Sequence, residues 1–246
     1  MLRCKEQWEE KKRLPREFFA RDGITVAKEL LGKVLVHKTE VGTIRGLITE
    51  VESYMGKEDK GSHTYGGKRT LRTEPMYHQG GTSYVYLIYG MYSCMNIAAM
   101  TEGIPQAVLL RSVVPVDEES KERMIALRIA DTERRRSRKA AEKVEACGDV
   151  AWEEEIPQDK SAAASTTIQE KLPASLKKHL ADGPGKLCIA MGITSKDNDI
   201  DMVESPDFYV TEGIKVLPEE IKTGKRIGID YAEEAADYLW RFYIEK

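Results

Sequence analysis

Apolar and polar positions along the 246 residues alternate between helical and strand spacing. The first fourteen residues are mostly charged or polar and read as loosely ordered, and Pro15 then opens a segment with Phe18 and Phe19. Thr25 reads as the N-cap of a short helix carrying Val26, Leu30 and Leu31, which Gly32 stops. Lys33–His37 and Gly46–Tyr54 follow as strands. Residues 55–82 have six glycines and little periodicity, and a loop of that length is usually functional. From Thr82 to Ile97, two runs rich in strand formers flank Tyr89-Gly90, where glycine permits the positive φ of a tight turn. This predicts a β-hairpin with Tyr89 at or near its tip. Gln106–Val114 is almost continuously apolar, a strand buried on both faces that Pro115 ends. Residues 118–145 predict a charged helix with Met124, Ile125, Leu127 and Ile129 on its buried stripe. Residues 149–175 read as a flexible insertion, and Gly183-Pro-Gly-Lys186 precedes a short helix over Leu187–Met191. Leu239–Ile244 predicts a final buried strand. The whole reads as an α+β fold, a single domain over 1–246 with a long charged insertion at 130–181.

Composition narrows the class. Hydrophobic residues make up 41% and charged residues 32%, as in a globular protein. The 38 basic and 41 acidic residues leave a net charge of −3, so any nucleic-acid contact must come from a local patch. Residues 55–82 supply a modest one, because Lys57, Lys60, Lys68, Arg69 and Arg72 outnumber Glu58, Asp59 and Glu74. Four cysteines and four histidines are scattered without the spacing of a metal knuckle, so neither a metal, a cofactor nor a disulfide is implied. No run approaches the ~18 apolar residues of a membrane span. An intracellular protein with no membrane contact is expected, cytoplasmic or nuclear according to the cell, and a monomer.

Three sets of residues could carry chemistry. Glu50 and Glu52 share strand parity with Ile48 and Tyr54, so they are predicted on one face. They are either solvated carboxylates on an outer face or partners of Arg111, a lone cation inside an apolar strand. A Glu–Arg set beside a cleft can hold and activate a water. Seven of the eleven tyrosines (Tyr54, Tyr65, Tyr77, Tyr84, Tyr86, Tyr89 and Tyr92) fall within forty residues. They either pack the sheet or wall a pocket for planar rings, with an added ~0.5–2 kcal/mol if the ring is cationic. Gly183–Lys186 is either an ordinary turn or a phosphate cradle using Lys186.

At Glu52-Ser-Tyr54, His63, Tyr84-Val-Tyr-Leu-Ile-Tyr-Gly-Met-Tyr92, Asn96 and Leu109-Leu-Arg111, the sequence resembles the alkyladenine (3-methyladenine) DNA glycosylase family. The resemblance runs from about Pro15 to Ile129 and resumes from Asp182 through Gly-Pro-Gly-Lys-Leu-Cys to Tyr243. It implies a mixed α/β domain with a curved, largely antiparallel sheet, flanking helices and a protruding hairpin that enters the minor groove. It implies hydrolysis of the N-glycosidic bond of damaged purines in double-stranded DNA, leaving an abasic site for base excision repair. By the same resemblance, Glu52 matches the general base, Arg111 the residue that positions the water, and Tyr54, His63 and Tyr86 the stacking walls. Leu109 matches another wall, Asn96 the gate that crowds the 2-amino group of guanine, and Tyr89 the intercalating wedge. Lys68, Arg69 and Lys186 are candidate phosphate contacts.

Chemistry on a base in a duplex requires flipping. Alkylated, deaminated and etheno purines all fit that logic, and the general acid for neutral lesions is unassigned. Water as nucleophile implies a monofunctional enzyme. Two other readings remain: a non-catalytic damage-binding module with the same pocket and wedge, and a nucleotide- or RNA-binding protein. Where the chain departs from the family, residues 140–171 hold eight acidic and three basic side chains, a net of −5. That segment is expected to lie away from DNA. The preceding basic cluster, Arg134–Lys139, is either a phosphate contact or a solvated helix face.

Overall fold

The computed structural model describes residues 11–88, 90–146 and 179–245. The strands among them are β1 (Val34–Thr39), β2 (Gly42–Tyr54), β3 (Ser83–Ile88), β4 (Tyr92–Ala99), β5 (Gln106–Pro115), β6 (Phe208–Thr211), β7 (Lys222–Gly224) and β8 (Arg241–Tyr243). The helices are α1 (Arg16–Phe19), α2 (Gly23–Leu30), α3 (Glu118–Ala146) and α4 (Pro184–Met191). The strands form one antiparallel sheet in the order β3-β4-β5-β2-β1-β6, with β8 pairing β2 and β7. The fold is mixed α/β, with a curled antiparallel sheet carrying a few helices.

The long strand β2 organises the rest. One edge pairs with β5 from Gly46 to Tyr54. Its other edge is shared by β1 along Gly42–Leu47 and β8 along Glu50–Glu52. Pairing with β5 slips by one residue between Ile48 and Glu50 and slips back between Glu50 and Val51, and across this irregularity the strand's alternation reverses. Ile44, Ile48 and Val51 therefore all enter the main core, although 48 and 51 differ in parity. Glu50, Glu52 and Tyr54 are turned to the face away from Val51. The predicted shared face with Ile48 is thereby corrected, and the bulge is the reason.

Helices α2, α3 and α4 close the core with Val26, Leu30, Met124, Leu187, Cys188 and Met191. Several local expectations shift. The N-cap of α2 is Asp22, whose carboxylate accepts from the amides of Ile24 and Thr25, so Thr25 lies inside the helix. Strand β2 begins at Gly42 rather than Gly46, and α4 begins at Pro184, with Gly192 in the left-handed region at its end. Residues 55–82 are not structureless. They contain single 3-10 turns at Gly56–Glu58, Tyr65–Gly67 and Glu74–Tyr77, and bury Asp59, Thr64, Met76 and Tyr77. The final strand is only Arg241–Tyr243, and Leu239 is exposed. Residues 11–14 are tied to β6 through an Arg13–Thr211 bridge and a bond from Leu14 N–H to the Val210 carbonyl. The insertion expected at 149–175 lies outside the described residues, as does Tyr89.

Candidate active site

The sheet's register gathers the candidate residues. Tyr84 pairs with Asn96, Asn96 with Leu109, Leu109 with Glu52, and Glu52 with Arg241, one row crossing five strands. Side chains in one row of an antiparallel sheet leave by the same face. Tyr86 stands two residues along β3 from Tyr84, and Arg111 two along β5 from Leu109, so both join that face. Asn96 is held within the hairpin, its Nδ2 donating to the Tyr84 carbonyl at 3.1 Å.

A cavity of about 280 Å³ opens on this face, with Tyr54, His63, Tyr84, Tyr86, Asn96, Leu109 and Arg111 among its lining residues. Three aromatic rings meet in one corner. His63 lies edge-on to Tyr86 with centroids 4.7 Å apart, and Tyr84 is tilted against Tyr86 at 5.2 Å. The His63 Nδ1 hydrogen-bonds the Tyr84 hydroxyl at 2.9 Å. Burial, with the charges of Arg72 and Lys68 nearby, lowers the His63 pKa to about 4, so the imidazole is neutral at pH 7. Tyrosines do not all serve the cavity. Tyr77 is buried with its hydroxyl donating to the Lys68 carbonyl, Tyr65 is exposed, and Tyr92 lies under Arg135.

Glu52 sits behind the cavity wall and is fully buried. Its three polar partners line the cavity instead. The Ile227 amide donates to Oε1 at 2.8 Å, the Tyr54 hydroxyl to Oε2 at 3.0 Å, and Arg111 Nη1 lies 3.2 Å from Oε1. Arg111 Nε also reaches Glu50 Oε1 at 3.2 Å, and Arg241 approaches the same oxygen at 3.1 Å. The outer-face reading of the two glutamates is excluded. Burial pushes the Glu52 pKa above the ordinary carboxylate value against the opposing pull of Arg111. A base poised nearer neutrality is what proton abstraction needs.

Sequence reasoning missed what holds Ile227 in place. Arg226 and Asp59 form a bidentate pair at 2.6 and 2.7 Å with neither side chain exposed. Arg226 also donates to the carbonyls of Ser53 and Ala235, and its guanidinium stacks between Tyr54 and Trp240. A Cβ at Gly61 would come within 2.9 Å of this guanidinium, so the glycine allows the close approach. The pair fastens the 55–82 loop to the C-terminal segment and delivers the next amide to Glu52. A lone arginine before Ile-Gly-Ile was the sequence signal, and nothing nearby named its partner. Arg72 and Tyr231 also line the cavity without having been expected.

Of the candidate phosphate contacts, Lys68 and Lys186 are exposed, whereas Arg69 is held by Glu74 and stacks on Tyr77. Among the described residues no three His, Cys, Asp or Glu side chains gather as metal ligands would, and no helix is long and apolar enough to cross a membrane.

A buried, arginine-paired carboxylate thus stands behind an aromatic cavity on one face of a curled antiparallel sheet. Comparison with known proteins supplies the family. Residues 17–246 match the family model for methylpurine-DNA glycosylase. A Clostridium acetobutylicum protein named "Putative 3-methyladenine DNA glycosylase" is 43% identical over 233 residues, covering 95% of this chain and 94% of its own length. Proteins of the same name from Clostridium perfringens and Desulfitobacterium hafniense are 41% and 42% identical over 234 residues, covering 95% of this chain and 96% of their own length. The chain belongs to the methylpurine-DNA glycosylase family. Its enzyme class is DNA-3-methyladenine glycosylase, a hydrolase of N-glycosyl bonds that works in DNA repair.

Proposed function

We propose that the protein is a monofunctional glycosylase that flips a damaged purine out of duplex DNA into the 280 Å³ cavity and releases it with a water activated by Glu52. The single observation that carries this reading is Glu52, buried behind the aromatic cavity with three polar partners that line it. A carboxylate offers about four lone-pair positions. The Tyr54 hydroxyl and the Ile227 amide occupy two by hydrogen bonds, and Arg111 lies 3.2 Å from Oε1 as an ion pair, which leaves lone-pair capacity to take a proton from water. Arg111 orients that water and offsets the negative charge on Glu52. Tyr54, His63 and Tyr86 grip the flipped base, and an alkylated purine, being cationic, gains cation–π attraction from the tyrosines. Asn96 and Leu109 bound the cavity, with Asn96 the element that crowds a guanine amino group. Tyr89 is the wedge that fills the gap left in the duplex.

His63, neutral at pH 7, serves as a hydrogen-bonding wall of the cavity. The cavity lies at the small end of ligand pockets, ~300–1,000 Å³, and suits a single base more than a whole nucleotide.

The test is base release from duplexes carrying 3-methyladenine, hypoxanthine or ethenoadenine, with heat and alkali revealing abasic sites. Wild type is expected to release at least one of them. Glu52→Gln should retain lesion binding and lose base release by about 10²–10⁴-fold, the usual contribution of a general base. Turnover retained by that variant removes Glu52 from its role. Tight lesion binding by wild type with no release on any substrate identifies a damage-binding module instead.

A further inference from the structure

Beyond Ile129 helix α3 leaves the core. Among its described side chains from Ala130 to Ala141, only Asp131 and Arg135 are even half-buried. Between Arg128 and Lys139 it carries six basic and two acidic side chains, a local charge of +4 in a chain of net −3. What this stretch touches is the connection between β3 and β4. The Arg135 guanidinium stacks 4.2 Å from the Tyr92 ring centroid and lies 3.5 Å from the Met91 carbonyl, with Asp131 fixing its orientation at 2.7 Å. Arg138 approaches the Met91 sulfur at 3.5 Å.

Helical spacing aligns Arg128, Arg135 and Lys139 in one row and Arg134 and Arg138 in the row beside it. Like charges at i,i+4 destabilise an isolated helix, and Asp131 offsets this only at Arg135, which it holds at 2.7 Å. The rows run for about 16 Å at 1.5 Å per residue. That length matches about five nucleotide steps of one DNA strand at ~3.4 Å each.

We propose that the basic rows of α3 are a second duplex-backbone contact, extending the DNA footprint along one flank beyond the β3–β4 connection. The proposal rests on the glycosylase reading for its partner, because that connection is the element placed against the duplex. Arg135 packs α3 onto it, while Arg134, Arg138 and Lys139 are the exposed cations that reach phosphate oxygens.

The experiment measures affinity for an undamaged duplex of about 25 base pairs by fluorescence anisotropy across a potassium chloride series. Each neutralised phosphate adds about −0.9 to the slope of log K against log salt. The variant Arg134→Ala/Arg138→Ala/Lys139→Ala should flatten that slope by about 2–3 and weaken binding at low salt by about tenfold or more. Alanine favours helix, so α3 should persist. If its circular dichroism nevertheless falls, the matching glutamine triple is measured instead. An equal-charge control, Lys12→Ala/Lys38→Ala/Lys215→Ala, lies around the β1–β6 edge at the other end of the sheet and should leave the slope unchanged. A slope equal to wild type in the α3 variant overturns the proposal, as does an equal flattening in the control. Failure of the glycosylase reading looks different. In that case no lesion is released by wild type, while the α3-dependent salt slope is measured independently.

Discussion

At the residue scale, Glu52 and Arg111 are understood only together. Arg111 lies in an otherwise apolar strand and needs a carboxylate nearby. It finds two, Glu50 and Glu52, both at 3.2 Å. Burial raises the Glu52 pKa, while Arg111, the Ile227 amide and the Tyr54 hydroxyl pull it down and the Glu50 charge pushes it up. Because a general base must be ionised, base release should fall on the acid side as Glu52 takes up a proton. Removing Arg111 deletes the strongest lowering influence. Arg111→Ala is therefore expected to move the acid limb of kcat/KM to higher pH and to reduce activity at pH 7. A pH–rate profile on a cationic lesion checks this, and an unmoved limb would detach Glu52 ionisation from the rate. Both residues were legible in the sequence by type and strand position. Which partners meet Glu52 was not, because two of the three come from segments 59 and 175 residues away.

At the element scale, the bulge in β2 and the pair Asp59–Arg226 do most to build the site. The bulge turns Glu50, Glu52 and Tyr54 away from the core that Ile48 and Val51 occupy. Plain alternation foresaw the Glu50–Glu52–Tyr54 face but assigned Ile48 to it, since a local slip in strand pairing leaves no mark in a period-2 pattern. The pair then locks the 55–82 loop and the C-terminal segment onto that face. Breaking a buried ion pair strands one charge without compensation, at a cost of about 3–5 kcal/mol. Asp59→Asn should therefore lose stability of that order in urea unfolding. The double variant Asp59→Leu/Arg226→Met, which removes both charges, should lose clearly less. A single variant as stable as wild type would mean the pair contributes nothing to holding the loop. The hairpin strands, β5 and the apolar stripe of α3 were foreseen from residue type, because strand formers and helical spacing act locally.

At the scale of the whole molecule, acid stability sums over groups that face different elements. His63 titrates near 4 in the fold against about 6.5 when unfolded. The unfolded chain thus binds more protons between these values, and stability falls as pH drops from 6.5 towards 4. Asp201 adds to the same trend lower down: burial would raise its carboxyl, but hydrogen bonds from Arg16 and the Val203 amide outweigh that and leave it below its ordinary value. Its stabilisation is present above the unfolded pKa and lost as pH falls through the folded one. Glu52 has the opposite sign, being raised, and so partly offsets the loss at the acid end. A series of Tm values should fall steadily below pH 6.5, and His63→Gln should flatten the part between 6.5 and 4. An unchanged series in that variant would remove His63 from the balance. The sequence by itself determined strands β1 to β5 and β8, helices α2 to α4 and the family, since these rest on local periodicity and on motifs in order along the chain, whereas α1, β6 and β7 are too short to leave a periodic signal. Only the tertiary structure decided that Tyr84, Asn96, Leu109 and Glu52 share one row, that Asp59 and Arg226 clasp out of water, and that the basic end of α3 lies against Met91 and Tyr92. Those depend on register, on a bulge and on contacts between residues far apart in sequence, where pairing is set by the burial of the whole and not by any local pattern.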